Sequence, residues 1–202
     1  MDQEKLTSDT LHHYELCPQE FWLGTKDHDV SQNLDSFCAN LPSSTDLVLD
    51  FGCGPGRDVK ALSLRGKRAI GLDGCPNFCE MAREYSGQDI WLQNFIHLQL
   101  PQNYFAGIFA NASLFHIPRE SLLSVLQHFH QSLVTEGIVF CSNPRGANVE
   151  QVNGLRYGNY MDIEGWRASF HNAGFKELTH YYRPKDLPRE LQPWLAMVWQ
   201  KI

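Results

Sequence analysis

Positive charge is scarce in this sequence. The 202 residues include 17 Lys and Arg against 23 Asp and Glu, which gives a formal net charge of −6, and no run of basic residues occurs. Nucleic-acid-binding domains usually carry a basic face. The composition therefore disfavours RNA or DNA as a partner.

Long apolar runs are also missing. No stretch approaches the roughly 20 apolar residues that a membrane-spanning helix needs. The N-terminal sequence MDQEKLTSDTLHHYE is polar and contains no apolar core of the kind found in signal peptides. We therefore expect a cytoplasmic protein with no membrane partner.

The six cysteines form no C-x-x-C pair. In a cytoplasmic protein we expect them to be reduced, partly buried thiols. Cys75 and Cys79 are spaced to share a helix face, but two ligands do not make a zinc site. The histidines at 12–13 and at 128 and 130 have no acid or cysteine at ligand spacing, so we expect no metal.

What is present is the balance of an ordinary globular domain, with 43% hydrophobic and 20% charged residues. The length suits a single domain, with small additions at most, that buries its core without disulfides or a metal. We expect one domain over 1–202, with N-terminal cap helices in 1–45, a ligand-binding half in 46–143, and a lid and C-terminal strands in 144–202.

Strand and helix patterns alternate along the chain. An aromatic-rich segment at 10–22 and a helix from Asp29 to about Leu41 come first. Apolar runs then predict strands at 46–51, 68–73, 89–93, 104–112, 137–142, 175–183 and 194–201, and apolar stripes predict helices at 57–65, 76–85, 119–133 and 162–173. The stretch 143–159 is predicted to be a long loop that acts as a lid. Such alternation predicts a parallel sheet covered by helices on both faces, with ligands at the carboxyl ends of the strands.

A glycine-rich turn follows the first predicted strand, in the sequence DFGCGPGR from Asp50 to Arg57. Its spacing is G-x-G-x-G behind an acid, whereas dinucleotide-binding proteins have G-x-G-x-x-G. A carboxylate at Asp50 would repel a pyrophosphate but would suit a cationic amino-acid head or a sulfonium. Asp73 ends the second strand, twenty-one residues after Gly52, where an acid typically bonds ribose hydroxyls.

These residues carry a family resemblance. VLDFGCGPGRD followed by GLD resembles the first two motifs of class I S-adenosylmethionine-dependent methyltransferases, and FANASLFHIP resembles the motif after their fourth strand. The resemblance implies an α/β fold: a three-layer Rossmann-like sandwich with a seven-stranded, mostly parallel sheet and an antiparallel C-terminal strand. It also implies S-adenosyl-L-methionine as the cofactor. The main alternative is a Rossmann-like domain with another nucleotide.

The resemblance further implies which residues bind the cofactor. Motif matching assigns this role to Tyr14, Asp50, Gly52, Gly54, Gly56, Arg57, Asp73, Gly74, Asn94, Phe95, Ala110 and Asn111.

In that assignment the glycine turn, with Asp50, lines the methionine and ribose end, and 110–111 lies beneath the methionine part. Arg57 pairs with the cofactor carboxylate, and Tyr14 closes over it. A surface salt bridge and a core aromatic are the alternatives for these two residues.

At the other end of the cofactor, Asp73 holds the ribose, Gly74 passes beneath the adenosine, and Asn94 and Phe95 flank the adenine. The sequence departs from the family pattern at Asn94 and Ala106, where acids are usual.

Three residues are predicted to serve the reaction. His116 follows the fourth strand and has the ordinary pKa of a base near neutrality, although a bond to a neighbouring loop is the alternative. Arg145 is placed to hold a substrate carboxylate, or else is a surface charge. Tyr181 shares a strand face with Arg183 and is opposite Tyr182, so one tyrosine of the two is expected at the site.

We therefore expect methyl transfer to an N, O or S atom of a small molecule, by a monomer or homodimer. The alternatives are a methyltransferase acting on a protein, or a non-catalytic cofactor-binding module or partner subunit of another enzyme.

Overall fold

Helices and strands alternate over most of the chain in the computed structural model, which describes residues 2–43 and 45–202. The α-helices are α1 (Gln3–Leu16), α2 (Pro18–Thr25), α3 (Ser31–Asn40), α4 (Arg57–Leu64), α5 (Pro76–Ser86), α6 (Arg119–Ser132) and α7 (Ile163–Asn172). Short 3-10 turns lie at Leu114–His116 and Arg189–Leu191.

The strands are β1 (Leu47–Phe51), β2 (Arg68–Asp73), β3 (Ile90–Leu92), β4 (Phe105–Asn111), β5 (Leu133–Pro144), β6 (Val149–Asn153), β7 (Arg156–Tyr160), β8 (Phe175–Arg183) and β9 (Trp194–Lys201). Seven of them form one sheet in the order β3-β2-β1-β4-β5-β9-β8. β9 is antiparallel to both of its neighbours, and the pairs from β3 to β5 are parallel. The predicted Rossmann-like fold class is confirmed.

Both faces of the sheet are covered, which explains why β1 is buried at every position. On one face Leu49 and Phe51 pack in a cluster with α6 and α7. On the other face Val48 packs with α3, α4 and α5. Because side chains alternate along a strand, a continuous apolar run contributes side chains to the hydrophobic core on each face of the sheet.

The strand order reverses between β1 and β4, since the chain moves outward through β2 and β3 and then returns to the other side of β1. Ligands of open α/β sheets bind at this reversal, beyond the carboxyl ends of the strands. α1 lies over this end: its Leu11 contacts Gly74 at the end of β2, and its Tyr14 contacts His116 just after β4.

Two sequence predictions are corrected. The fifth strand begins at Leu133, not at 137, and passes an irregularity in its pairing with β4. The stretch 143–159 is not a long loop, because β6 and β7 form an antiparallel hairpin around Gly154 and Leu155. Every residue of β6 is exposed, so the strand lacks the apolar alternation that reveals a half-buried strand.

None of the helices in the described part of the chain is long and apolar enough to cross a bilayer. All six cysteines are free thiols.

The packing of α3 generates a stability prediction. Phe37 is fully buried and packs on Phe109 of β4, with ring centroids 5.3 Å apart. Phe37→Ala should lower the free energy of unfolding by about 3–5 kcal/mol, because it leaves a cavity between helix and sheet. Leu64→Ala is the control, since Leu64 is 80% exposed. Urea unfolding of both variants measures the difference, and equal midpoints would contradict the packing.

Candidate functional site

A sharp turn after β1, residues 52–56, forms the centre of the site and is called the glycine loop below. Gly52 has a φ of +76°, and a Cβ there would lie 2.4 Å from Cβ of Ser113. Its N–H and that of Cys53 donate to the carbonyl of Leu72 in β2. Only glycine allows this left-handed backbone to approach the chain beyond β4 so closely.

Gly56 has a different structural role. Its φ is +91°, and a Cβ would lie 2.8 Å from Cα of Ala82 in α5. This glycine therefore lets α4 start close against α5. Gly56 lines neither of the cavities described next, so it does not take the expected position facing the ligand.

Two neighbouring cavities border the glycine loop. The inner cavity, of about 70 Å³, lies beneath α1 and includes Asp73 and Phe95 in its lining. The outer cleft, of about 510 Å³, opens beside α2 and the β6–β7 hairpin. They share the lining residues Tyr14, Phe21, Gly52, Gly54 and Ala112.

Asp73 connects β2 to the glycine loop. One carboxylate oxygen accepts from the N–H of Gly54 at 2.9 Å, and the other accepts from the N–H of Cys75 at 2.9 Å. Burial raises the pKa of Asp73 to about 6, although the backbone donors oppose this shift. Each oxygen keeps acceptor capacity for a hydroxyl group of a ligand.

Beyond β3, Phe95 lines the inner cavity and packs on Phe51 at 4.3 Å between ring centroids. Asn94 instead turns its side-chain oxygen back to accept from the N–H of Ile96 at 3.0 Å. Ile96 takes a place in the cavity lining that the sequence did not indicate. Gly74 leaves room for Leu11, because a Cβ would lie 2.7 Å from Cδ2 of that leucine.

A buried acidic cluster lies behind the glycine loop. Asp50 is 2% exposed, and its Oδ2 has no hydrogen-bond partner among the described residues. Burial raises its pKa well above the ordinary value, Asp58 raises it further, and Arg57 opposes the shift. A buried carboxylate without a partner is costly unless a donor or a cation reaches it.

Arg57 is held inside the protein. Its Nε and Nη2 donate to the two oxygens of Asp58 at 2.7 and 2.9 Å, and its Nη1 donates to the carbonyl of Thr25 at 2.8 Å. The guanidinium fork is therefore already engaged, although the side chain still borders the outer cleft.

Asn111 joins the same network and lines the outer cleft. It donates to Asp58 at 2.9 Å and accepts from the side chain of Asn33 at 3.0 Å. Ala110, the residue before it, is fully buried in β4 and lines neither cavity.

The placement of Tyr181 differs from the prediction. Its hydroxyl donates to the side-chain oxygen of Asn33 at 3.0 Å and to the carbonyl of Gln32. It lines neither cavity, and neither does Tyr182. Tyr181 thus ties β8 to α3, while Arg183, on the same strand face, does border the outer cleft.

Arg145 also lies outside both cavities. Its guanidinium lies over the ring of Tyr182, 5.6 Å from the centroid. The arginine that does line the outer cleft close to Tyr14 is Arg156, at the start of β7. The sequence does not indicate Arg156, because its pattern predicts a loop over 143–159 and the hairpin that places Arg156 at the cleft leaves no apolar alternation.

His116 is hydrogen-bonded on both ring nitrogens. Nδ1 lies 2.7 Å from the carbonyl of Tyr157, which can only accept, so Nδ1 carries the proton. Nε2 therefore accepts from the hydroxyl of Tyr14 at 2.8 Å. Burial lowers the pKa of His116 to about 4. The expectation of a base with a pKa near neutrality is wrong, because desolvation favours the neutral ring.

No group of three or more His, Cys, Asp or Glu is arranged to hold a metal ion in the described residues.

The reversal of strand order, the acid-led glycine loop and the acid ending β2 are the features of class I S-adenosylmethionine-dependent methyltransferases. Residues 49–141 match the family described as methyltransferase domain. The protein is an S-adenosylmethionine-dependent methyltransferase with a methyltransferase domain over residues 49–141, and its cofactor is S-adenosylmethionine.

Relatives cover most of the chain. It is 26% identical, over 88% of its length and 80% of the relative's, to an uncharacterized methyltransferase of Schizosaccharomyces pombe. The fold is similar to that of a Leishmania major S-adenosylmethionine-dependent methyltransferase, with a TM-score of 0.77, 18% identity, and 98% and 85% of the two chains covered. It is also similar to Burkholderia thailandensis 1,6-didemethyltoxoflavin-N1-methyltransferase, with a TM-score of 0.75, 19% identity, and 98% and 88% covered.

The neutral state of His116 predicts a pH effect. Its folded-state pKa of about 4 is below the ordinary 6.5, so between these two pH values the unfolded chain binds a proton that the folded protein does not bind. Wild-type stability should therefore lose a contribution on the order of 3 kcal/mol as the pH falls from about 6.5 to about 4. Asp73, whose pKa is raised, changes stability in the opposite sense over this window.

Comparison with His116→Gln isolates the histidine, because both proteins retain Asp73. The difference in unfolding free energy between wild type and variant should shrink as the pH falls, measured by urea unfolding at several pH values. The exposed His12→Gln is the control. A difference that stays constant with pH would contradict the buried neutral imidazole.

Proposed function

We propose that the enzyme transfers the methyl group of S-adenosylmethionine to an N, O or S atom of a small molecule held in the outer cleft. The observation that carries this proposal is the cleft itself. Its volume of about 510 Å³ is in the range of small-molecule sites. It borders the same glycine loop and the same Tyr14 ring as the inner cavity, so a cofactor and a substrate would meet at these shared residues.

In this proposal the adenosine lies in the inner cavity, with its ribose hydroxyls on Asp73 and its adenine beside Phe95. The inner cavity is small and is covered by side chains of α1, among them Leu11. We infer that side chains of α1 such as Leu11 move aside when the cofactor enters, while the hydrogen bonds of Tyr14 and Thr10 keep the helix in place.

The methionine part would follow Gly52, Gly54 and Asn111 toward the outer cleft. Asp50 lies behind this path, and its unpartnered Oδ2 would accept a hydrogen bond from an ammonium group. A cation there would also oppose the effect of burial, which raises the pKa of Asp50. Electrostatics therefore support an ammonium and a sulfonium at the glycine loop, and they disfavour a pyrophosphate.

The proposed role of Tyr14 and His116 is positioning. Because the proton of Tyr14 is donated to His116, the phenol oxygen can only accept at the shared edge of the cavities, where Arg156 lies beside it. Such an acceptor would orient an N–H or O–H of the substrate without removing its proton. In-line methyl transfer depends mainly on such alignment, since the cofactor supplies the reactive methyl.

The comparison with the Burkholderia enzyme supports a small substrate. That enzyme is named for the N1 atom of 1,6-didemethyltoxoflavin, and its structure holds this compound with S-adenosylhomocysteine. Here, the outer cleft is bounded by α2, the hairpin and the β8–β9 connection, which suits a compact ligand better than a polymer.

The direct experiment measures transfer of label from methyl-tritiated S-adenosylmethionine to a panel of metabolites, beside calorimetric titration of S-adenosylhomocysteine. Turnover of at least one small molecule is expected. Tight binding of S-adenosylhomocysteine with label transfer only to protein, or with none on any acceptor, would overturn the small-molecule proposal and favour a protein substrate or a cofactor-binding module.

Asp73→Ala should weaken S-adenosylhomocysteine binding by about 10- to 100-fold, because it removes hydrogen bonds to a charged group, each of about 1.5–3 kcal/mol. Calorimetry measures the change. The matched control is Asp35→Ala, whose side chain is 69% exposed and pairs with Arg65. Unchanged affinity in a folded Asp73→Ala protein would refute the ribose assignment.

Tyr14→Phe and His116→Gln should each lower kcat by about 10-fold, while S-adenosylhomocysteine affinity changes less than about 3-fold. Both changes break the same hydrogen bond, so the double variant should be little slower than the slower single variant. Steady-state kinetics with the best acceptor tests this. Multiplicative losses in kcat would show that the two side chains act independently.

A further inference from the structure

We propose that Arg156 is an anion anchor in the outer cleft and that the substrate is a small aromatic carboxylate. This inference rests on the proposed function and deepens it by naming the substrate class.

Arg156 begins β7 and lines the outer cleft. It also lies beside the Tyr14 hydroxyl, since its charge opposes the effect of burial, which raises the pKa of that phenol to about 12. A group bound to Arg156 would therefore lie close to the edge that the two cavities share. This is where a methyl acceptor has to be held.

The backbone after Arg156 is fixed at two points. The N–H of Tyr157 donates to the hydroxyl oxygen of Thr10 in α1 at 3.0 Å, and its carbonyl accepts from His116 at 2.7 Å. Thr10 is 5% exposed and Tyr157 is fully buried. The backbone at Arg156 is thus held in place before a ligand arrives, which reduces the entropy cost of binding.

The charge of Arg156 is not neutralised by the protein. Within the described residues it forms no ion pair, whereas Arg57 in the same cleft is paired with Asp58. Arg183 donates to the carbonyl of Asp29. Because the whole chain carries a formal charge of −6, it repels anions at long range. A half-buried guanidinium without an ion-pair partner in the cleft therefore marks the place where an anion is accepted, and its planar fork matches a carboxylate.

The walls of the cleft favour a planar ligand. Trp22, Phe115 and Trp194 line it together with Tyr14. Aromatic rings offer large apolar faces for stacking. The other two arginines of the cleft are already engaged, Arg57 with Asp58 and Arg183 with the carbonyl of Asp29. A flat ring that bears one carboxylate satisfies both the apolar walls and the cation.

The test uses protein saturated with S-adenosylhomocysteine and measures by calorimetry the binding of benzoate, anthranilate and indole-3-acetate, each against its neutral amide. At least one acid should bind about 10-fold or more tightly than its amide, as expected for one charge-assisted contact. Arg156→Ala should abolish this preference, Arg156→Lys should retain part of it, and Arg156→Glu should favour the amide.

Arg68→Ala is the control, since the Arg68 side chain is 69% exposed and lies at the start of β2, at the other end of the strand from the cleft. Equal binding of acids and amides, no binding of any acid, or an acid preference that survives Arg156→Ala would overturn the inference. The same variants are titrated with S-adenosylhomocysteine and with methylthioadenosine, which lacks the amino-acid part. A loss for the first ligand alone would assign Arg156 to the cofactor carboxylate and also overturn it.

Label transfer from S-adenosylmethionine to the same panel separates the two proposals. Acid binding that depends on Arg156, without turnover of any acceptor, would leave the anion anchor standing and refute the proposed catalysis. Turnover of neutral acceptors alone, with no acid preference, would leave methyl transfer standing and refute the anchor.

Discussion

The buried carboxylate of Asp73 is the contact on which the site depends. It accepts one hydrogen bond from the glycine loop and one from the start of α5, so it fixes the ends of two neighbouring strands relative to each other. Burial makes the ionised form costly, and the backbone donors recover part of that cost. A carboxylate held in this way is already oriented for further hydrogen bonds, and the shape of the glycine loop depends on it.

A second set of contacts brings together parts of the chain that are distant in sequence. Tyr14 of α1 donates to His116 after β4, and His116 donates to Tyr157 of the hairpin. The hydroxyl oxygen of Thr10 in α1 accepts a hydrogen bond from the N–H of the same residue, Tyr157. The N-terminal helix, the β4 end and the hairpin thus close the site jointly, and movement of α1 would have to break these bonds.

The sequence was sufficient to predict the cofactor half of the fold. The second strand and the two closing strands are predicted at their observed bounds, because apolar runs form β2 and β9, and β8 lies between Gly174 and Pro184. The hairpin was missed since β6 is wholly exposed. Strand alternation correctly put Tyr181 and Arg183 on one face, but it contains no information on which neighbour that face meets. In the structure that face meets α3, where the side-chain oxygen of Asn33 accepts a hydrogen bond from the Tyr181 hydroxyl.

The same limit explains why the sequence predicts the position of His116 but not its protonation. Its position in the sequence, just after β4, correctly places it at the edge of the inner cavity. Its chemistry depends on Tyr157, forty-one residues later, and on burial, neither of which a local motif contains. Once Tyr157 fixes the proton on Nδ1, the imidazole can only accept from Tyr14, and its lowered pKa makes it a weak base. In the proposed reaction this pair aligns the nucleophile through an N–H or O–H and does not remove its proton, so selectivity would come from shape and from the charge of Arg156.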